Sequence, residues 1–296
     1  MGRVRGAVAL LLVLAVAAAC GARAEPEPIA GPTPDVCAPW GCEQQARFDA
    51  ASAFLASQPG TVAILVSDRQ TGAVWRAGDQ ELRTWAGSTP KLALTVYLLE
   101  QARAGQLELG TRDWADIDAM LSVSDNGAAD ELWDMYADPA TVMQRWQTTY
   151  GMAGASYVDT FPARWGFVKL TVQDLANLMA FVLDGLDPAD RASIVERMRT
   201  VGGPQQWGVW GAGTDLLPGV KDGWDYAAEA GSDQYRWVTA TMGFVGPEER
   251  YVVAALFDQP PGDLGSIDAG VHVLTDLVAT VFGASVPAPV VVPEEY

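Results

Sequence analysis

The sequence predicts an α+β fold, and two observations carry that expectation. Apolar periodicity near 3.6 and near 2 occur in blocks rather than in strict alternation. A helix and two strands come first, a run of helices fills the middle, and three strands and a helix close the chain. Strands bracketing a helical insertion do not build repeating βαβ units, which would give a parallel sheet. No internal repeat is present. The 296 residues suffice for one large domain or two small ones, and 49% are apolar, enough for a substantial core.

The elements follow in order. Arg3 and Arg5 precede an apolar run from Ala7 to Ala19. That run is too short for the ~20 residues of a membrane helix and suits a signal peptide over residues 1–20. It ends in AVAAAC, which resembles a bacterial lipobox with Cys20 as the lipid-modified residue. Ala17 stands where a branched residue is usual, so ordinary secretion with an A-x-A cut is the alternative. Either route predicts a secreted, extracytoplasmic protein, and the lipobox a membrane-anchored lipoprotein held only through Cys20. Residues 21–43 are Pro-rich and read as an extended tether. Cys37 and Cys42 lie in CAPWGC, and an oxidising compartment predicts a small-loop disulfide between them. Their spacing is not C-x-x-C, and a chain with one histidine offers a zinc site no partners. The folded domain is expected over 44–284, followed by a tail over 285–296.

Within the domain, 44–60 has helical spacing of Phe48, Ala51, Phe54 and Leu55 and ends at Pro59-Gly60. Residues 61–79 read as a hairpin about Thr71-Gly72. A helix carrying Ser88 and Lys91 runs to Gly105. Segments 116–136 and 139–151 are helical in period. Residues 171–186 form a strongly amphipathic helix with Thr171 as N-cap, and 188–201 continue the helical lobe. Residues 218–226, 235–246 and 251–258 read as strands, and 266–283 as the closing helix. The stretch GGPQQWGVWGAG lacks the Lys-Ser/Thr ending of a phosphate loop and is expected as a flexible loop at the surface or the edge of a site.

A formal net charge of −18 excludes nucleic acid and anionic membrane surfaces as partners. The informative chemistry is at Ser88. A serine hydroxyl is a poor nucleophile until a base takes its proton. The single histidine, His272, lies inside the closing helix, and no G-x-S-x-G elbow is present, so the base must be lysine, a carboxylate or water. Ser88 and Lys91 are three residues apart, which on a helix puts their Cβ atoms about 5–6 Å from each other. Pro90 suits a first turn, and the positive end of the helix would favour a developing oxyanion. Burial there would lower the lysine pKa and free its amine as a base. Alone, the pair could equally be an N-cap serine beside a solvated lysine.

Two further motifs follow in the chain: Ser124-Asp125-Asn126, and Lys221-Asp222-Gly223 on a strand. With S-x-x-K they make the ordered set of the serine β-lactamases and penicillin-binding proteins. From about Ala46 to Gly283 the sequence resembles class A β-lactamases. The resemblance implies a five-stranded antiparallel sheet completed by both termini, flanked by helices and set beside an all-α lobe. It implies Ser88 as the acylated nucleophile, Lys91 as its proton partner and Ser124 as the relay to the leaving nitrogen. Asn126 would hold the substrate amide, and Lys221 would hold the substrate carboxylate. The backbone amides of Ser88 and Trp224 would form the oxyanion hole. The expected ligand is a small β-lactam or a peptidoglycan peptide, bound by a monomer without metal or cofactor.

The sequence departs from that family in three places. The stretch from Ser88 to Ser124 is short for the family. Asp222 replaces a threonine of the third motif, and a carboxylate there would repel a substrate carboxylate unless it is protonated or paired. The family's Arg-Trp-Glu run, whose glutamate activates the deacylating water, is matched by Arg164-Trp165 and then Gly166. Asp159 is the nearest carboxylate in that loop. The expectation is a cell-envelope serine hydrolase that deacylates slowly, or a non-catalytic penicillin- or cell-wall-binding lipoprotein that keeps the fold. Trp207, Trp210 and Trp224 are candidates either for stacking on sugars or for the core.

Overall fold

In the computed structural model, residues 37–293 are described apart from 230, 263 and 264. The signal segment, Cys20 and the tether up to residue 36 lie outside the described residues. The elements run α1 (Cys42–Ala56), β1 (Thr61–Asp68), β2 (Val74–Gly78), β3 (Arg83–Trp85), α2 (Pro90–Arg103), α3 (Thr111–Ser122), α4 (Asn126–Tyr136) and α5 (Pro139–Thr148). They continue with β4 (Ser156–Tyr157), β5 (Val168–Thr171), α6 (Val172–Asp184), α7 (Pro188–Arg199), β6 (Gly219–Ala227), β7 (Arg236–Val245), β8 (Tyr251–Asp258) and α8 (Ile267–Phe282).

The main sheet has five strands in the order β2-β1-β8-β7-β6, every neighbouring pair antiparallel. Its central strands are apolar at consecutive positions because both faces are covered. Val62, Ile64 and Val66 of β1, with Val253, Ala255 and Phe257 of β8, pack into one cluster with Phe48 of α1 and Leu274, Leu277 and Val278 of α8. Ala63 and Leu65, with Ala254 and Leu256, point the other way into a cluster that includes the helical lobe. Each buried Val, Leu, Ile or Phe among them contributes about 1.5–3 kcal/mol, and each alanine methyl less.

The lobe is built around α2, whose residues Pro90 to Leu99 are all buried. A helix buried on every side is a central helix rather than a surface one. Its second residue is Lys91, so the amine enters the interior with it. Thr171 caps α6 as expected: its hydroxyl accepts from the Asp174 amide at 3.2 Å, and the Asp174 carboxylate accepts from the Thr171 amide at 2.8 Å. At the start of the described residues, Cys37 and Cys42 are disulfide-bonded, and Trp40 packs edge-on against Phe48 with ring centroids 5.0 Å apart. The Ala288 amide donates to Asp276 Oδ1 at 2.7 Å, and Val290 and Val292 pack on the α1–α8 core.

Three local expectations change. The helical period over 116–136 is broken into α3 and α4, because Ser124 takes a left-handed backbone conformation (φ 61°) and Asp125 caps the new helix through Ala128 N at 2.7 Å. The glycine-rich segment at 202–213 is no flexible loop. It forms short 3₁₀ turns against α8 and β7, with Trp207 and Val209 fully buried. The Gly208 amide donates to Thr275 Oγ1 at 2.9 Å and the Val209 amide to Thr241 Oγ1 at 3.0 Å. A second sheet, β3-β5-β4, escaped the sequence reading because its strands of two to four residues are too short to show alternation.

Candidate active site

A cavity of about 140 Å³ opens between the edge strand β6 and the helical lobe. Its walls are Gly87 and Ser88, Ser124 and Asn126, Trp165 and Gly166, and Trp224 and Asp225. The three motifs therefore converge, from three separate stretches of chain.

Ser88 lies in a tight turn just before α2, where the Thr89 hydroxyl donates to Ala86 O at 2.8 Å and the Lys91 amide to Ser88 O at 3.2 Å. Pro90 opens the helix, where its missing N–H costs nothing. The turn presses directly on β6. A Cβ on Gly87 (φ 53°) would lie 2.4 Å from Trp224 N, and one on Gly223 would lie 2.5 Å from Ser88 N. No other residue fits at either place, so Gly223 of the third motif is there to let two backbones touch. The contact brings the Ser88 and Trp224 amides to one wall of the cavity.

Lys91 is fully buried. Its Nζ donates to Ser124 O at 2.5 Å and Asn126 Oδ1 at 2.7 Å, lies 3.2 Å from Ser124 Oγ, and sits 4.6 Å from the centroid of the Trp165 ring. Burial first, and the Lys221 charge second, pull its pKa down to about 6, against a smaller upward pull from Asp125 and Asp130. A neutral amine has two N–H donors and one lone pair. The two acceptors take the donors, which leaves the lone pair to receive a proton from a hydroxyl. Among the described residues no hydrogen bond joins the side chains of Ser88 and Lys91. Catalytic hydrogen bonds are often slack without substrate.

Ser124 Oγ also accepts from Lys221 Nζ at 3.0 Å. One hydroxyl is thus held between two interior amines. Lys221 is 1% exposed, donates as well to the Asp222 carbonyl at 2.8 Å, and is lowered by burial to about 7.

Asp222 does not stand where the motif comparison put it. Strand alternation turns Lys221 and Gly223 toward the site, while Asp222, paired in register with Thr241, shares the opposite face with Val220. Its carboxyl is fully buried, and neither oxygen has a donor at good hydrogen-bonding geometry. Burial raises its pKa well above the usual carboxylate range, against a smaller downward pull from the Thr241 hydroxyl, Lys221 and the Trp207 backbone. Burial therefore favours the protonated form of this carboxyl, and it does not line the cavity.

Arg164 and Trp165 belong to the site's architecture. Trp165 is buried, and its Nε1 donates to Asp130 Oδ1 at 2.9 Å, as does Arg164 Nε at 3.0 Å. The residue that follows into the cavity is Gly166, without a side chain. Asp159 is exposed and lines no part of the cavity. His272 lies beside Asp268 on α8, 3.7 Å away, also outside the cavity. Trp207 is fully buried, packs near Trp224 with centroids 6.4 Å apart, and is a core residue, not a sugar platform. Sequence reasoning missed Asp225, whose pKa burial raises to about 6. The spacing Lys221, Gly223, Asp225 along one strand face was the available signal.

The sheet and helical lobe together have the fold seen in solved class A β-lactamases and in PBP-A. The structure of PBP-A superposes with a TM-score of 0.65 at 20% identity, covering 80% of this chain and 95% of that one. A β-lactamase from Xanthomonas campestris pv. campestris gives 0.64 at 19% identity, covering 81% and 97%. The ancestral GNCA class A β-lactamase gives 0.63 at 18%, covering 80% and 99%. In sequence, the "Putative lipoprotein LppW" of Mycobacterium tuberculosis, and that of Mycobacterium bovis, is 29% identical over 230 residues, 75% of this chain and 70% of the relative. No family model matches the chain. No helix among the described residues is long and apolar enough to cross a membrane, and none of their His, Cys, Asp and Glu clusters could hold a metal ion.

Proposed function

We propose that this chain is a cell-envelope serine hydrolase that forms an acyl-enzyme with a β-lactam or a peptidoglycan-like amide and releases it slowly. The observation that carries this reading is the Ser124 hydroxyl held at 3.2 and 3.0 Å between two buried lysines of lowered pKa, at the cavity that Ser88 enters. Ser88 Oγ attacks the amide carbonyl and its proton passes to Lys91. The carbonyl oxygen gains negative charge against the Ser88 and Trp224 amides. Collapse breaks the carbon–nitrogen bond, and the leaving nitrogen takes its proton from the Ser124 hydroxyl, which regains one from Lys91. Charged Lys221 favours a substrate carboxylate nearby, and Asp222, on the opposite face of β6, does not line the cavity. Deacylation needs a base for water, and the position after Trp165 offers none.

The rest of the chain fits an envelope role: a signal peptide over 1–20, a lipid on Cys20, a Pro-rich tether and a monomeric domain. The name of the mycobacterial relatives supports the lipid anchor. It also favours a second reading, a lipoprotein that binds penicillin or cell wall without turnover. A fluorescent penicillin followed by intact-mass measurement decides. A long-lived adduct on Ser88, absent from Ser88→Ala, is expected. Rapid multi-turnover hydrolysis rejects slow release, and no covalent adduct together with no hydrolysis rejects the enzyme.

A further inference from the structure

Past the Ser88 cavity, β6 runs on into a second cavity of about 330 Å³, and Asp225 lines both. The second cavity is walled by Trp85, Phe161, Phe167, Tyr226 and Tyr235. Trp85 and Phe161 meet edge to face with centroids 5.3 Å apart, and Tyr226 and Tyr235 stack at 5.4 Å. Phe161, Tyr226 and Tyr235 are 40–48% exposed, a cluster of aromatic surface beside a polar site.

The two acids at this cavity differ. Glu229 is neutralised by Lys169 and Arg236. Asp225 has no ion-pair partner among the described residues, although it is only partly exposed. With a pKa of about 6 it is mostly ionised at neutral pH. An uncharged group packed over it would strip water from an unpaired anion, which is unfavourable, whereas an ammonium group would replace that water and lie against aromatic faces.

We propose that this second cavity is a subsite for a positively charged amino group on the acyl side of the substrate, with Asp225 as its counter-ion and the aromatic wall covering the attached carbons. The acyl side is the part that stays on Ser88, so the wording rests on the acyl-enzyme reading, but the recognition does not.

The test uses ampicillin and benzylpenicillin, which differ by one amino group on the acyl side chain. Both are titrated by calorimetry at pH 7 into Ser88→Ala, which cannot be acylated. Ampicillin is expected to bind about tenfold more tightly. Asp225→Asn in the same background should bring the two together by weakening ampicillin alone. Equal affinities with Asp225 present, binding of neither compound, or a preference that survives Asp225→Asn overturns the proposal. The ligand comparison stands even if Asp225→Asn proves unstable. Failure of the acyl-enzyme reading shows separately, as the lack of an adduct on Ser88 in the unmutated protein.

Discussion

Varying pH between 5 and 9 separates the roles of the two lysines. The proposed chemistry needs Lys91 neutral, to take the Ser88 proton, and Lys221 charged, to hold a carboxylate. Their pKa values of about 6 and about 7 leave a narrow window. Below it Lys91 is protonated, and above it Lys221 loses its charge. Treated as independent sites, they put roughly 0.6 of the protein in the active form near pH 6.5, and about sixfold less at either pH 5 or pH 8. The second-order rate constant for Ser88 acylation, measured by quenched-time-point mass spectrometry with benzylpenicillin, should trace that bell. A lysine of ordinary pKa would give a different curve, rising about tenfold per pH unit to beyond pH 9. Such a rise would show that the base titrates near the ordinary lysine value, and would refute the lowered pKa of Lys91. A profile flat from pH 5 to 9 would refute both assignments.

Two further outcomes are expected. Nothing lies within 4 Å of where a Cβ would sit on Gly166, so Gly166→Glu places a carboxylate at the cavity without a backbone clash. The acyl adduct should then turn over about 10²-fold faster or more, since a positioned general base contributes 10²–10⁴. An unchanged adduct lifetime with normal acylation contradicts the idea that a missing base limits release. Asp222 holds its proton in the folded state at pH values where the unfolded chain has lost it, so its contribution to stability falls as pH rises above the unfolded pKa of 3.8. Relative to Asp222→Asn, the parent should lose stability as pH rises above about 4, by up to about 1.4 kcal/mol per pH unit, read from urea midpoints. A pH-independent difference would mean that the carboxyl is ionised throughout.

The sheet was legible because its strands are short apolar runs closed by turn residues, as at Thr71-Gly72 and Gly246-Pro247. The candidate site was legible because Ser88, Lys91, Ser124 and Lys221 are group types that acyl transfer would demand, in an ordered set, and the structure brings them together. What escaped has physical causes. Helical periodicity continues on both sides of Ser124, so one left-handed residue vanishes into the pattern. Glycine-rich composition reads as a loop, yet Gly211 is there because a Cβ would lie 2.2 Å from Thr275 O, which is a packing requirement. Asp222 was read by its place in a motif, whereas strand parity, with Val220 as the guide, decides which way it faces. Asp225 obeys the same parity and was overlooked for the same reason.

The meeting of Gly87 with the 223–224 stretch leaves the floor of the cleft with no clearance: it is main chain laid on main chain. Trimming or enlarging side chains cannot widen a seam of that kind. Any adaptation to a bulkier or differently shaped ligand has to come from the side walls, at the loop around Phe161 and Trp165 and at the far end of β6. Those are the parts of the pocket free to diverge while the Ser88 turn stays fixed against β6.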